Sequence, residues 1–291
     1  MLCNLCPRRC NALRDENQNF GGICAMPQLP KVARAALHFW EEPCISGKNG
    51  SGTVFFSGCS LHCVFCQNSD ISVRNKGKDV SIKELADIFK KLEDMGAHNI
   101  NLVTPTHFAD SIISALDIYK PQIPIVYNSS GYENVETLKR LKGYVDIYLM
   151  DFKYIDSNKA GIYSSADDYP DICKTALYEV YNQQSKPVLK DGIMQNGVIV
   201  RHMLMPQATR DAVAVFDWVR SNIPNVYFSI MSQYLPLYKA NDMPIINRKV
   251  TRREYDKVTE YILNSGFENC YIQNHTSADK SYIPDFDFTG I

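Results

Sequence analysis

The chain has 291 residues, 45% of them hydrophobic, and 31 Lys and Arg against 32 Asp and Glu give a formal net charge of -1. This length supports a substantial core in one large domain or in a main domain with a small appendage, and near-neutrality supplies no global attraction to nucleic acid or to an acidic membrane. The opening Met1-Leu2-Cys3-Asn4-Leu5-Cys6 lacks the charged and apolar zones of an export signal, and no apolar run is long enough to span a bilayer, so a cytoplasmic protein is expected. The 10 cysteines are then better read as metal-binding thiols than as disulfides, which belong mainly to small secreted domains.

In chain order the first feature is Cys3-X2-Cys6-X3-Cys10-X13-Cys24. Four thiols complete a tetrahedral zinc site or ligate every iron of a cubane cluster, and the spacing leaves both open beside the plainer reading of unliganded thiols. Residues 1–50 form a Cys-rich extension. It ends in His38-Phe39-Trp40-Glu41-Glu42-Pro43 followed by Gly47, Gly50 and Gly52, either part of a substrate mouth or a solvated linker.

From residue 53 short apolar runs alternate with amphipathic stretches, as in repeated βα units around a parallel sheet. Strands are expected at 53–57, 99–104, 123–128, 145–151, 198–205 and 226–231, with a short terminal strand at 271–274. Helices are expected at 82–95, 108–118, 135–141, 175–184, 212–221 and 252–264, the first opened by a capping box of Ser81 and Glu84. The aromatic stretches 163–169 and 234–238 read as rim loops. Six units are too few for the common eight-unit barrel. The expected fold is therefore α/β, a partial (β/α)6 barrel over 51–245, with the Cys-rich extension before it and a C-terminal helix and tail, 246–291, packed on it.

Cys59, Cys63 and Cys66 fall just after the first barrel strand, at the end where such folds keep their active sites. Three thiolates ligate three irons of a cubane and leave the fourth open to an exogenous ligand. A structural zinc loop is the competing reading, and it needs a fourth ligand, for which His62 is the neighbour.

The run Gly58-Cys59-X-X-X-Cys63-X-Phe65-Cys66-Gln67-Asn68 resembles the signature of radical S-adenosylmethionine (SAM) enzymes, in the version found in pyruvate formate-lyase activating enzyme and its homologues. The resemblance implies a [4Fe-4S] cluster on these cysteines that cleaves SAM to a 5′-deoxyadenosyl radical, with Phe65 packing beside the adenine. It also implies hydrogen abstraction from a protein or peptide partner, as in the activation of glycyl-radical enzymes, and a flavodoxin- or ferredoxin-type reductant.

Weaker matches continue to about residue 238. Thr104-Pro105-Thr106-His107 stands where relatives carry a Gly-Gly-Glu stretch, making Thr104 and Thr106 candidate SAM contacts or a helix cap. Asn128-Ser129-Ser130-Gly131 and Asp151-Phe152-Lys153 align with segments that hold SAM and a monovalent cation, with Asn128 in place of a carboxylate. A plain ion pair is the alternative for Asp151 and Lys153. On an alternating strand Arg201 and Met203 share one face opposite His202, so Arg201 is expected to reach the cofactor and His202 to pack under helices. Gln233-Tyr234 takes the place of a SAM-contacting histidine. Two alternatives stay open: a radical SAM enzyme acting on a small molecule, and a non-catalytic iron–sulfur electron-transfer or scaffold protein.

Overall fold

Residues 2–291 are described by a computed structural model. A small hairpin of β1 (Leu13–Arg14) and β2 (Asn19–Phe20) precedes β3 (Lys31–His38), α1 (Pro43–Ser46), β4 (Ser51–Phe56), α2 (Ser69–Ser72) and β5 (Lys78–Asp79). The βα rhythm then runs α3 (Ile82–Asp94), β6 (Ile100–Val103), α4 (Ala109–Ile118), β7 (Ile125–Ser129), α5 (Val135–Leu141) and β8 (Ile147–Asp151). It continues with α6 (Ser157–Ser164), α7 (Tyr169–Gln183), β9 (Val188–Lys190), β10 (Ile193–Met203), α8 (Thr209–Asn222), β11 (Tyr227–Met231), α9 (Arg252–Leu263) and β12 (Cys270–Ile272).

The main sheet follows the order β12-β11-β10-β8-β7-β6-β4-β3-β5, and every pairing from β4 to β12 is parallel. This is the open parallel sheet that the alternation predicts, with the terminal strand as a seventh member. Every residue of β4 and β6 is buried, because the helices cover the outer face of the parallel sheet and its inner face closes on the barrel interior, leaving no polar side. The capping box before α3 is formed as read: Ser81 Oγ accepts from Glu84 N, and Glu84 Oε2 accepts from Ser81 N at 2.7 Å.

Two features differ from the expectation. The segment before residue 51 contributes β3, which pairs antiparallel with β4 and extends the sheet. Its Ala-rich run, Lys-Val-Ala-Arg-Ala-Ala-Leu-His, has no clean alternation because small side chains on both faces are covered. The C-terminal tail returns to this edge, with Phe288 N donating to Ala33 O and Ala35 N to Thr289 O, which covers part of its unpaired backbone. The stretch 163–169 is the end of α6, a short turn over 165–168 and the start of α7, with Pro170 in the first turn of α7, and it is no exposed aromatic rim, since Tyr163 and Tyr169, like Tyr234, are buried.

Candidate active site

The cluster loop leaves the end of β4 through Gly58, whose φ of +82° only glycine adopts readily. A Cβ there would lie 2.3 Å from Met26 Cγ and 2.8 Å from Cys24 O, so the turn is also pressed against the N-terminal segment. Hydrogen-bond donors face all three sulfurs downstream. Leu61 N donates to Cys59 Sγ at 3.4 Å, Ser164 Oγ to Cys63 Sγ at 3.0 Å, and Ser72 Oγ lies 3.2 Å from Cys66 Sγ.

Burial pushes the thiols of Cys63 and Cys66 up, Cys66 to about 12, while Lys153 pulls Cys63 the other way. Buried sulfurs that accept hydrogen bonds suit metal-bound thiolates, so the donor set fits a cluster. Among the described residues no three His, Cys, Asp or Glu side chains are grouped closely enough to hold a single metal ion. His62, the candidate fourth ligand of a zinc loop, does not line the cavity onto which Cys59, Cys63 and Cys66 open.

That cavity, of about 210 Å³, is bounded by the strand ends. Phe65 joins the cysteines from the loop, Thr104 comes from the end of β6, and Asn128 and Ser129 from β7. Asp151 and Lys153 come from the end of β8, and Arg201 from β10. Thr104 has a φ of +59°, rare for a β-branched residue, and its N–H donates to Asn128 O. Phe65 is ringed by Tyr154, Tyr163 and Tyr234 at centroid distances of 6.5, 6.4 and 5.8 Å, an apolar wall with edge-to-face geometry. Gln233 and Tyr234 also line the cavity.

The floor is a charged network. Arg201 donates from Nε to Asp151 Oδ1 at 2.9 Å, from Nη1 to Glu41 Oε2 at 3.0 Å and from Nη2 to Asn128 Oδ1 at 2.6 Å. Lys153 Nζ takes the other oxygen of Asp151 at 2.5 Å, so both carboxylate oxygens are engaged within the protein. Burial alone would raise the Asp151 pKa, but the charges of Arg201 and Lys153 outweigh it and hold the carboxyl below its ordinary value. Glu41 is the residue that sequence reasoning placed only in a mouth or linker. Its Oε1 accepts from Asn101 Nδ2 at 3.1 Å and Asn128 Nδ2 at 3.2 Å, bringing a carboxylate to the place where Asn128 lacks one. The neighbouring Glu42 is buried, and burial raises its pKa against the pull of Arg201.

Two residues point elsewhere. Thr106 turns from the cavity and donates to Glu133 Oε1 at 2.7 Å, while Tyr127 OH donates to Glu133 Oε2 at 3.0 Å. His202 lies on the face opposite Arg201, buried, with Nδ1 2.7 Å from Phe152 O. Burial raises the Glu133 pKa from 4.5 to about 7, partly offset by the Thr106, Tyr127 and Ser129 hydroxyls. A raised folded pKa means that this stabilisation is complete below the unfolded value and is lost as pH rises through about 7. The gap of about 2.5 pH units corresponds to about 3 kcal/mol. The parent is expected to lose urea midpoint between pH 4.5 and 7, and Glu133→Gln to flatten that fall; an unchanged slope would refute the assignment.

Cys3, Cys6, Cys10 and Cys24 lie outside the cavity. No helix among the described residues is long and apolar enough to cross a membrane.

Comparison with known proteins agrees with this geometry. The chain is 34% identical over 268 residues to the uncharacterized protein MJ0674 of Methanocaldococcus jannaschii, covering 89% of this chain and 73% of that one. In fold it is similar to the SAM-bound SuiB of Streptococcus suis, with a TM-score of 0.50, 16% identity, and 75% and 48% of the two chains covered. It is also similar to the FeFe-hydrogenase maturase HydG of Carboxydothermus hydrogenoformans, with a TM-score of 0.52, 11% identity, and 80% and 56% covered. The chain thus spans about half the length of both solved structures. The sequence profile of the Radical SAM superfamily matches residues 53–228, from β4 with its cluster loop through to β11, and the chain therefore belongs to that superfamily.

Proposed function

We propose that this protein cleaves SAM reductively and abstracts hydrogen from a protein or peptide partner, in the manner of a glycyl-radical activase, working in the cytoplasm with a flavodoxin- or ferredoxin-type reductant. The observation that carries this reading is the meeting of the three cluster-loop thiols with Phe65, Thr104, Asn128, Ser129, Asp151, Lys153 and Arg201 around one cavity. When bound, a reduced [4Fe-4S] cluster with SAM supplies a 5′-deoxyadenosyl radical.

The chain's own residues hold and shield it. Cys59, Cys63 and Cys66 hold the cluster, and the hydroxyls of Ser164 and Ser72 offset charge on two of the sulfurs. The charged floor is already paired, so it meets the zwitterionic end of SAM as a set of fixed dipoles and needs little rearrangement. Phe65 and its tyrosines provide the apolar wall suited to an adenine.

A peptide-class substrate is favoured by the mouth. A groove of about 200 Å³ runs along Ala36, Leu37, His38 and Phe39 of the β3 end and shares Trp40 and Tyr282 with the cavity. Phe39 and Trp40 are 50% and 57% exposed, and such a groove accepts an extended chain beside a strand. SuiB, similar in fold, has been solved bound to its precursor peptide SuiA.

The test is anaerobic incubation with SAM, a reductant and candidate glycyl-radical proteins, following 5′-deoxyadenosine and electron paramagnetic resonance. A protein-based radical that appears only with partner, SAM and reductant together is the expected result. 5′-Deoxyadenosine without any protein radical would shift the substrate to a small molecule, and no 5′-deoxyadenosine at all would leave an electron-transfer or scaffold role.

A further inference from the structure

The loop from Cys59 to Cys66 rests on the C-terminal end of α6. The last carbonyls of a helix find no partner within it and must be satisfied from outside. Tyr163 O accepts from Val64 N, inside the loop, at 2.9 Å. Ser164 O and Ser165 O accept from Arg8, the first from Nη2 at 2.9 Å and the second from Nη1. The same guanidinium donates from Nε to Ser60 O at 2.8 Å. Ser60 follows Cys59 directly, so one side chain ties the start of the loop to the helix end that supports its middle.

Ser164 is where these ties meet the chemistry. Its carbonyl is held by Arg8, and its hydroxyl donates to Cys63 Sγ at 3.0 Å. A hydroxyl has one proton to give, so in the 2.8 Å contact between Tyr154 OH and Ser164 Oγ the tyrosine is the donor. Ser60 and Ser164 are both buried, which leaves little room for water to replace the guanidinium on their carbonyls.

Arg8 is itself fixed. Asn134 Nδ2 donates to Asn4 O at 2.9 Å and Thr137 Oγ1 to Leu5 O at 2.8 Å, which pins the preceding residues to the start of α5. Pro7 restricts the backbone between, and Arg9 N closes a turn on Cys6 O at 3.1 Å. The guanidinium stands 5.3 Å from the centre of the Tyr132 ring, whose OH is anchored on Asp168 at 2.9 Å.

We propose that Arg8 is a positioning residue for the iron–sulfur cluster: by joining Ser60 to the end of α6 it keeps the Ser164 hydroxyl on Cys63, and so sets how firmly the loop retains iron and how easily the cluster is reduced. The proposal rests on Cys59, Cys63 and Cys66 being the cluster ligands. A donor aimed at a ligating sulfur offsets the charge gained on reduction, so its loss drives the potential down. The planar fork is required, because its three nitrogens reach three carbonyls that lie in different segments.

The experiment uses the full chain with its cluster reconstituted anaerobically, following iron release to a chelator and the midpoint potential. Arg8→Ala is expected to release iron several-fold faster than the parent and to shift the potential to a more negative value. Ser164→Ala should shift the potential in the same direction, and the double variant should move it no further than the larger single change, since both act on one hydrogen bond. Arg8→Lys keeps the charge over Tyr132 but reaches too few carbonyls, so it should also release iron faster than the parent; this arm carries the test where Arg8→Ala does not fold. Parent-like iron release and potential in the Arg8 variants overturn the proposal, and additive potential shifts in the double variant overturn its route through Ser164. Full recovery by Arg8→Lys would make the charge, and not the clamp, the operative feature. A parent chain that binds no iron would instead remove the cluster reading on which the proposal rests.

Discussion

Replacing Cys59, Cys63 and Cys66 together with Ala is expected to reduce 5′-deoxyadenosine formation to the uncatalysed background while far-UV circular dichroism stays that of the parent. The loop sits at the ends of strands whose stability comes from apolar burial along β4, β6, β7 and β8, where nearly every residue is covered. Each Cys→Ala change removes one sulfur and leaves a hydroxyl or amide donor without its acceptor, about 1 kcal/mol apiece. The sheet tolerates that loss. The chemistry does not, because no other thiol lines the cavity. Anaerobic turnover assays decide the matter, and SAM cleavage persisting in the triple variant would remove the cluster from this loop.

Arg201→Ala is expected to destabilise the fold by about 3–5 kcal/mol, the usual result of leaving buried charge uncompensated. Arg201 is 13% exposed and joins Asp151, Glu41 and Asn128 at once; without it the Glu41 carboxylate loses its ion-pair partner and buried Glu42 loses a nearby positive charge. The pH dependence distinguishes this from simple loss of packing. In the parent, the depressed Asp151 pKa gives stability that is present above the ordinary value of 3.8 and lost as pH falls through the folded one. In the variant, buried Glu42 loses the opposing pull of Arg201, its pKa rises further, and protonation relieves it. The variant's deficit should therefore be largest near pH 8 and shrink toward pH 5, as read by urea unfolding. Arg201→Lys should restore little, since one ammonium does not span three partners that a planar fork reaches together. Equal urea midpoints for Arg201→Ala and parent at both pH values would show that the network carries no such energy.

Much of this was legible because it was local. The cluster motif occupies eight consecutive positions from Cys59 to Cys66, and apolar runs covered on both faces announce themselves without reference to any distant residue. Glu41 was not legible in the same way. Its partners Asn101, Asn128 and Arg201 lie 60, 87 and 160 residues away, and only the pairing of β3 with β4 swings the segment after β3 over the barrel mouth. Thr106 and Thr104 look alike in sequence. The positive φ of Thr104 turns the chain so that one faces the cavity and the other reaches Glu133. The tyrosines of 163–169 read as a rim because aromatic density marks exposed loops and inner walls equally; Tyr163 packs on Phe65, almost 100 residues earlier, and Tyr169 on Tyr132 and Tyr154.

The mouth is assembled from residues made at opposite times. His38, Trp40 and Glu41 are translated before any barrel strand, whereas Tyr282 and Pro284, on the same cavity, come after all of them, and Trp40 meets Tyr282 edge to face at 5.0 Å. A chain still being synthesised thus carries its cluster-loop cysteines before one wall of their chamber has been made. Until the tail is released to lie along β3, that side of the cavity stands open to the surrounding solution, so access to it narrows only when the last residues are made.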